Sequence, residues 1–180
     1  MKTATIDSPA GGRKSVRGDV WFNQGFCSFP DVRSLMARVH IDLPEGFDFS
    51  TDITLYLSHI NYGNHLDNAL LLTVVSEARL RFLKSMGYTE LDVEGVGIIV
   101  ADAALQYRSE ARHGEVMRVA MAACDFNKSG CDLVWQMCEA ESGREVARGK
   151  TGILFFDYAA GKVTRVPEGF AARFGAARGQ

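Results

Sequence analysis

The spacing of hydrophobic and polar positions changes twice along this chain. From about Asp52 to Ser58, "DITLYLS" alternates and is rich in β-formers, which predicts a strand. The polar stretch 59–64 follows as a loop. From about His65 to Met86 the spacing predicts one long helix. Its apolar positions Leu71, Val74, Val75, Ala78, Phe82 and Met86 fall three, one, three, four and four residues apart. Leu70, Leu72 and Leu83 widen that stripe, so the first half is apolar nearly all round, as in a helix enclosed by other structure. Gly87 stands where a C-terminal cap belongs. Val74 and Val75 are weak helix formers, so burial has to outweigh propensity there.

After "YTELDVEG" the period shortens again. Strands are expected over 96–108, 115–126, 131–141 and 145–158. "NKSG" and "SGR" are short connections, so the last three strands should form an antiparallel meander. A short helix is expected after Pro167, followed by a fraying tail to residue 180. The order is strand, buried helix, then four antiparallel strands. An antiparallel sheet buries one face against something, and a single helix held by the sheet meets that need. The fold class is therefore α+β.

Residues 1–35 hold "SPAGGRK", scattered aromatics and no stable period. They read either as a flexible leader or as sequence upstream of a natural start at Met36. The domain is then expected over 36–166, with 167–180 as a tail. The chain has 180 residues, 47% hydrophobic and 23% charged, the mix of a soluble globular domain. A formal net charge of -2 gives no general reason to expect nucleic acid or an anionic membrane as partner. No apolar stretch is long enough to span a bilayer, and the N-terminus has no apolar signal core. Cys27, Cys124, Cys131 and Cys138 form no C-x-x-C pair and have no histidines at zinc-finger spacing, so no metal is expected. They read as free thiols of a cytoplasmic protein. If Cys131 and Cys138 share a strand, their odd offset puts them on opposite faces.

The stretch His59-Ile60-Asn61-Tyr62-Gly63-Asn64-His65-Leu66-Asp67-Asn68, followed by Glu77-Ala78-Arg79, resembles the 4-hydroxybenzoyl-CoA thioesterase type of acyl-CoA thioesterase. That family carries D-x-D-x-x-G-H-V-N-N before its helix and E-A-R near the helix middle. The resemblance covers roughly residues 45–165. It implies the hotdog fold, a curved antiparallel sheet wrapped around one long buried helix, and a homodimer or homotetramer. It also implies hydrolysis of acyl-CoA to free CoA and a carboxylic acid, without a cofactor. One departure stands out. Counting back from His65, the family's catalytic aspartate falls on Asn61, and the first acid of the pair on His59.

Thioester hydrolysis needs donors for a developing oxyanion and a base or nucleophile to deliver water. The free amides of a helix beginning at His65–Asn68 would supply the donors, with Asp67 and Asn68 contacting substrate. Asn61 has no basicity but can orient water or donate to the carbonyl. His65 can act as a base. Glu77, in the apolar stretch "LLLTVVSEARLRFL", would have its basicity raised by burial. Twelve residues separate it from His65, roughly 18 Å of helix, so it would reach the site across a dimer interface. Its bland alternative is an ion pair with Arg81. The resemblance places CoA phosphates at the turn holding Lys128 and Ser129. The leading expectation is an acyl-CoA thioesterase using Asn61, His65 and Glu77. A hotdog acyl-thioester hydratase or dehydratase, a non-catalytic acyl-thioester binder and a purely structural dimer are the alternatives.

Overall fold

The computed structural model describes residues 39–175, so the expectations for residues 1–35 and for the last five residues lie outside it. The elements are β1 (Phe49–Thr54), α1 (Leu71–Ser85), β2 (Gly97–Tyr107), β3 (Val116–Cys124), β4 (Gly130–Glu139), β5 (Glu145–Asp157), β6 (Lys162–Val163) and α2 (Glu168–Gly175). The strands form one antiparallel sheet in the order β1-β3-β4-β5-β2, with β6 added to β5. The four long strands fall within two residues of their expected ends, and the meander is present. β1 lies three to four residues before its expected span. The β1–β3 ladder ends at the Thr54–Val116 pair, and Leu57–His59 then turn as a short 3-10 segment. Among the described residues no helix is long and apolar enough to cross a membrane.

One face of the sheet packs on α1. On β4, Cys131, Leu133, Trp135 and Met137 point into the core, while Asp132, Gln136 and Cys138 lie on the other face. The odd offset of Cys131 and Cys138 thus separates them as expected, and burial pushes the Cys131 thiol up to about 12. From α1, Leu71, Val74, Val75, Ala78 and Phe82 are buried, which is the stripe the spacing marks. The helix is not apolar all round. Leu70 precedes it, and Glu77, Leu80 and Arg81 line an open face.

The two ends of α1 differ. At its C-terminal end Gly87 takes φ +85°, and the N–H groups of Gly87 and Tyr88 donate to Lys84 O and Leu83 O, both at 3.0 Å. That is a Schellman cap, which a residue with a Cβ would resist. α2 then seals this end. Phe170 packs edge-on against Phe155 with ring centres 5.2 Å apart, and Phe174 lies 5.8 Å from Phe82. Among the described residues no helix covers the N-terminal end of α1, and the polar loop sits there.

Candidate active site

The helix begins at Leu71, not at His65. The cause is local. Asn64 adopts φ 61°, a left-handed conformation that asparagine tolerates, and this reverses the chain. Asn61 N–H donates to His65 O at 2.9 Å and Asn64 N–H to Asn61 O at 3.0 Å, so residues 61–65 close a tight loop on the Ile60–Leu66 bridge. A second turn over 67–70 leads into α1.

This changes the expected oxyanion site. Asp67 Oδ1 accepts from the N–H groups of Ala69 at 2.8 Å and Leu70 at 3.3 Å, and Asp67 O accepts from Leu71 N–H at 2.9 Å. Asp67 therefore caps the turn that leads into the helix, and of the amides the sequence offered to an oxyanion those of Leu66 and Asp67 are taken by Ala111 O and His59 O. Asn68 is different: it is exposed and lines an open cavity.

Asn61, at the position of the family's aspartate, is tied into the loop. Its Oδ1 accepts from Gly63 N–H at 2.8 Å. Its Nδ2 lies 3.5 Å from His65 Nδ1, while that same Nδ1 lies 3.1 Å from Leu66 O. A carbonyl oxygen only accepts, so the shorter contact puts the proton on Nδ1 and leaves the lone pair on Nε2. The Asn61 contact is then between two donors and is not a hydrogen bond. The ring lies over Gly63, where an added Cβ would stand 2.8 Å from Nε2. Glycine at 63 keeps the basic nitrogen open. His59 plays a different part: its Nδ1 accepts from Tyr56 N–H at 3.1 Å and locks the preceding turn.

His65 and Asn68 line a cavity of about 310 Å³ with Leu71, Tyr107, Arg108, Glu110 and Val146 among its other walls. The last residues of β2 and the connection after it supply what the sequence did not mark. Tyr107 Oη donates to Asn68 O at 2.9 Å, and Leu66 N–H to Ala111 O at 2.7 Å, which fastens the loop to this wall. Arg144 braces the wall from behind, donating to Ser109 Oγ, to Glu110 O and to Glu115 Oε1. Glu110 brings a carboxylate to the rim, paired with Arg112 at 3.0 Å. Arg108, half exposed, brings a cation and lies 3.5 Å from Glu145. The Glu145 carboxyl is held below its ordinary range, first by Arg148 and further by Gln136.

Glu77, Lys128 and Ser129 are not at this cavity. Glu77 is 45% exposed in its side chain and accepts from Arg81 Nε at 2.7 Å, so it is a half-solvated ion pair and not a buried acid. The reason is the open face of α1. Lys128 and Ser129 sit in the β3–β4 turn, with Ser129 N–H held by Asn127 Oδ1 at 2.9 Å. That turn precedes the Gly130 end of β4, whereas the cavity lies by Val146, next to the far end where Cys138 pairs with Glu145. The intervening strand is roughly 30 Å long at about 3.3 Å per residue. Among the described residues, no group of His, Cys, Asp and Glu side chains is placed to hold a metal ion.

Comparison with known proteins places this geometry in a family. The thioesterase-like superfamily matches residues 55–174. Among curated proteins, none matched the sequence. The fold is similar to that of a 1,4-dihydroxy-2-naphthoyl-CoA thioesterase from Synechocystis, with TM-score 0.65 and 16% identity over 73% of this chain and 98% of that one. It is also similar to a putative thioesterase from Pseudomonas aeruginosa (TM-score 0.63, 19% identity, 69% and 95% covered) and a probable thioesterase from Escherichia coli (0.57, 16%, 69% and 94%). At such identities the likeness establishes the hotdog fold. The matched span takes in the His65 loop, α1 and every strand that walls the cavity, and the chain belongs to the thioesterase-like superfamily.

Proposed function

We propose that this protein hydrolyses acyl-CoA thioesters to free CoA and a carboxylic acid at the cavity lined by His65 and Asn68. The observation that carries this reading is the His65 ring, whose Nδ1 is held by Leu66 O while Nε2 stays open over Gly63. Water attacks the thioester carbonyl carbon as Nε2 takes its proton. The Asn68 amide faces the developing oxyanion, a contact of a kind worth on the order of 100- to 1000-fold in rate. Collapse breaks the C–S bond, and the proton passes from His65 to the departing thiolate. Asn61 shapes the loop and positions the ring. Arg108 at the rim offers CoA phosphates a cation, the part expected of Lys128 and Ser129.

A homodimer fits the sheet. Among the described residues β2 is an edge strand of 11 residues, with Val100 and Tyr107 half exposed along it. A long edge of unpaired backbone groups invites a second copy. Glu77, Lys128 and Ser129 enter a site only from such a partner. The free thiols at Cys131 and Cys138 fit a reducing cytoplasm.

One observation favours a non-catalytic acyl-thioester binder: Asn61 stands for the family's aspartate and its Oδ1 is spent on Gly63. The two readings part on a panel of aliphatic and aromatic acyl-CoAs, with CoA release followed by a thiol dye and binding by calorimetry. Turnover supports the hydrolase. Saturable binding without turnover leaves the binder.

A further inference from the structure

A second cavity, of about 110 Å³, lies between α1, β2 and β5. Its walls are apolar at Val75 and Val100 and polar at Ser76, Arg79 and Thr151. Arg79 sits in the middle of α1 and is 9% exposed. Its Nε donates to Glu90 Oε1 at 2.6 Å. Its two Nη groups have no acceptor among the described residues, and neither the Ser76 nor the Thr151 hydroxyl has a partner there. These atoms are nevertheless not sealed off, because the one fully enclosed side-chain polar atom without a partner among the described residues is Trp135 Nε1. Thr151 shares the core face of β5 with Ile153 and Phe155, so its side chain lies on the face that packs against α1. Thr151 and Arg79 both line this cavity.

A guanidinium removed from bulk water with most of its fork unused is a costly arrangement. A planar acceptor that meets Nη1 and Nη2 together relieves that cost, and a carboxylate is such an acceptor. A cavity of about 110 Å³ has room for a carboxylate head. Glu90 already balances the charge on Arg79, so hydrogen bonds hold the ligand more than net charge does, and the two hydroxyls matter accordingly.

We infer that this cavity is a carboxylate-binding subsite in which Arg79 grips the anion through its Nη groups and Thr151 and Ser76 donate from either side. Arg79 is eight residues along α1 from Leu71, which lines the His65 cavity. That is about 12 Å at the helical rise. The carboxylate is therefore either the far end of a dicarboxylic acyl group whose thioester lies at His65, or a free carboxylate. The first source rests on the hydrolase reading. Occupancy of the cavity by a carboxylate does not.

The test begins with calorimetric titration of free suberate and free acetate into the wild-type chain and into Thr151→Val, Thr151→Ser and Arg79→Gln, with circular dichroism to confirm each fold. Thr151→Val preserves shape, so it reads the site even if Arg79→Gln fails to fold. Saturable binding that weakens at least tenfold in Thr151→Val and returns in Thr151→Ser supports the subsite. No binding by the wild-type chain, or binding that Thr151→Val leaves unchanged, overturns it, whether or not the protein hydrolyses acyl-CoA. Turnover of succinyl-, adipyl-, suberyl- and sebacyl-CoA against monocarboxylic acyl-CoAs of equal length then identifies the source. A preference for one dicarboxylic length, lost in Thr151→Val as a rise in KM with kcat held, assigns the acyl group. Binding of free carboxylate with no such preference assigns the free anion.

Discussion

Gly63→Ala is the smallest change that reaches the proposed chemistry. Residue 63 does not need a left-handed backbone, so alanine carries no conformational penalty there. Its Cβ would stand 2.8 Å from His65 Nε2, 3.1 Å from Cδ2 and 3.2 Å from Asn61 Oδ1. The closest of these is some 0.6 Å short of the 3.4 Å at which ordinary contact begins. The ring must move by about that much, and Leu66 O opposes the movement from the other side. A catalytic group displaced by about 1 Å loses on the order of a hundredfold. We expect kcat for acyl-CoA hydrolysis to fall roughly tenfold to a hundredfold. Stability should hardly change, because a compatible Gly→Ala gains about 0.4–1 kcal/mol through the unfolded chain, which offsets the local crowding. The assay is CoA release with kcat and KM separated, beside a thermal melt. In a His65→Ala background the same substitution should cost nothing further. Wild-type kcat in Gly63→Ala would refute the placement of Nε2 at the reacting centre.

Three further outcomes follow from the same contacts. Asp67→Ala removes the acceptor for two amides in the turn that leads into α1 and should cost about 1 kcal/mol in urea unfolding; a wild-type unfolding midpoint would show that Asp67 does not hold that turn. Glu77→Gln should leave turnover intact and cost at most about 0.5 kcal/mol, since the pair with Arg81 is half exposed; a collapse of kcat would put Glu77 in the site of a second copy. Glu139 is held at about 2 instead of 4.5, chiefly by the Ser142 hydroxyl and then by the Ser142 and Glu141 amides. The stability from this depressed carboxyl is complete above pH 4.5 and is lost as pH falls toward 2. Glu139→Gln should flatten acid unfolding in that window, and an unchanged acid limb would refute the assignment.

The core was legible in the sequence because it obeys a period. Leu71 to Phe82 mark one face of α1, and alternation marks β2 to β5. Gly87 announces the end of the helix because its cap requires a left-handed residue. The start of the helix was not legible. His65 to Leu70 would be acceptable in a helix, and only the reversal at Asn64 and the tertiary bond from Leu66 N–H to Ala111 O take them out of one. The same pairing brings Tyr107, Arg108 and Glu110 to His65. No local signal marks them, since they arrive through the register of β2 on β5 and the brace from Arg144. Lys128 and Ser129 lie away from the His65 cavity of their own protomer for the converse reason: a resemblance carries a turn across without saying which end of the sheet it occupies.

The most direct measurement is CoA release by wild-type protein and by His65→Ala and His65→Gln, on the substrate the wild type turns over fastest. We expect kcat to fall at least a hundredfold in both variants, with folding intact and acyl-CoA still bound, as for loss of a general base. Turnover that persists in both would contradict a base at His65 and move the chemistry to another group on the cavity wall, Glu110 first.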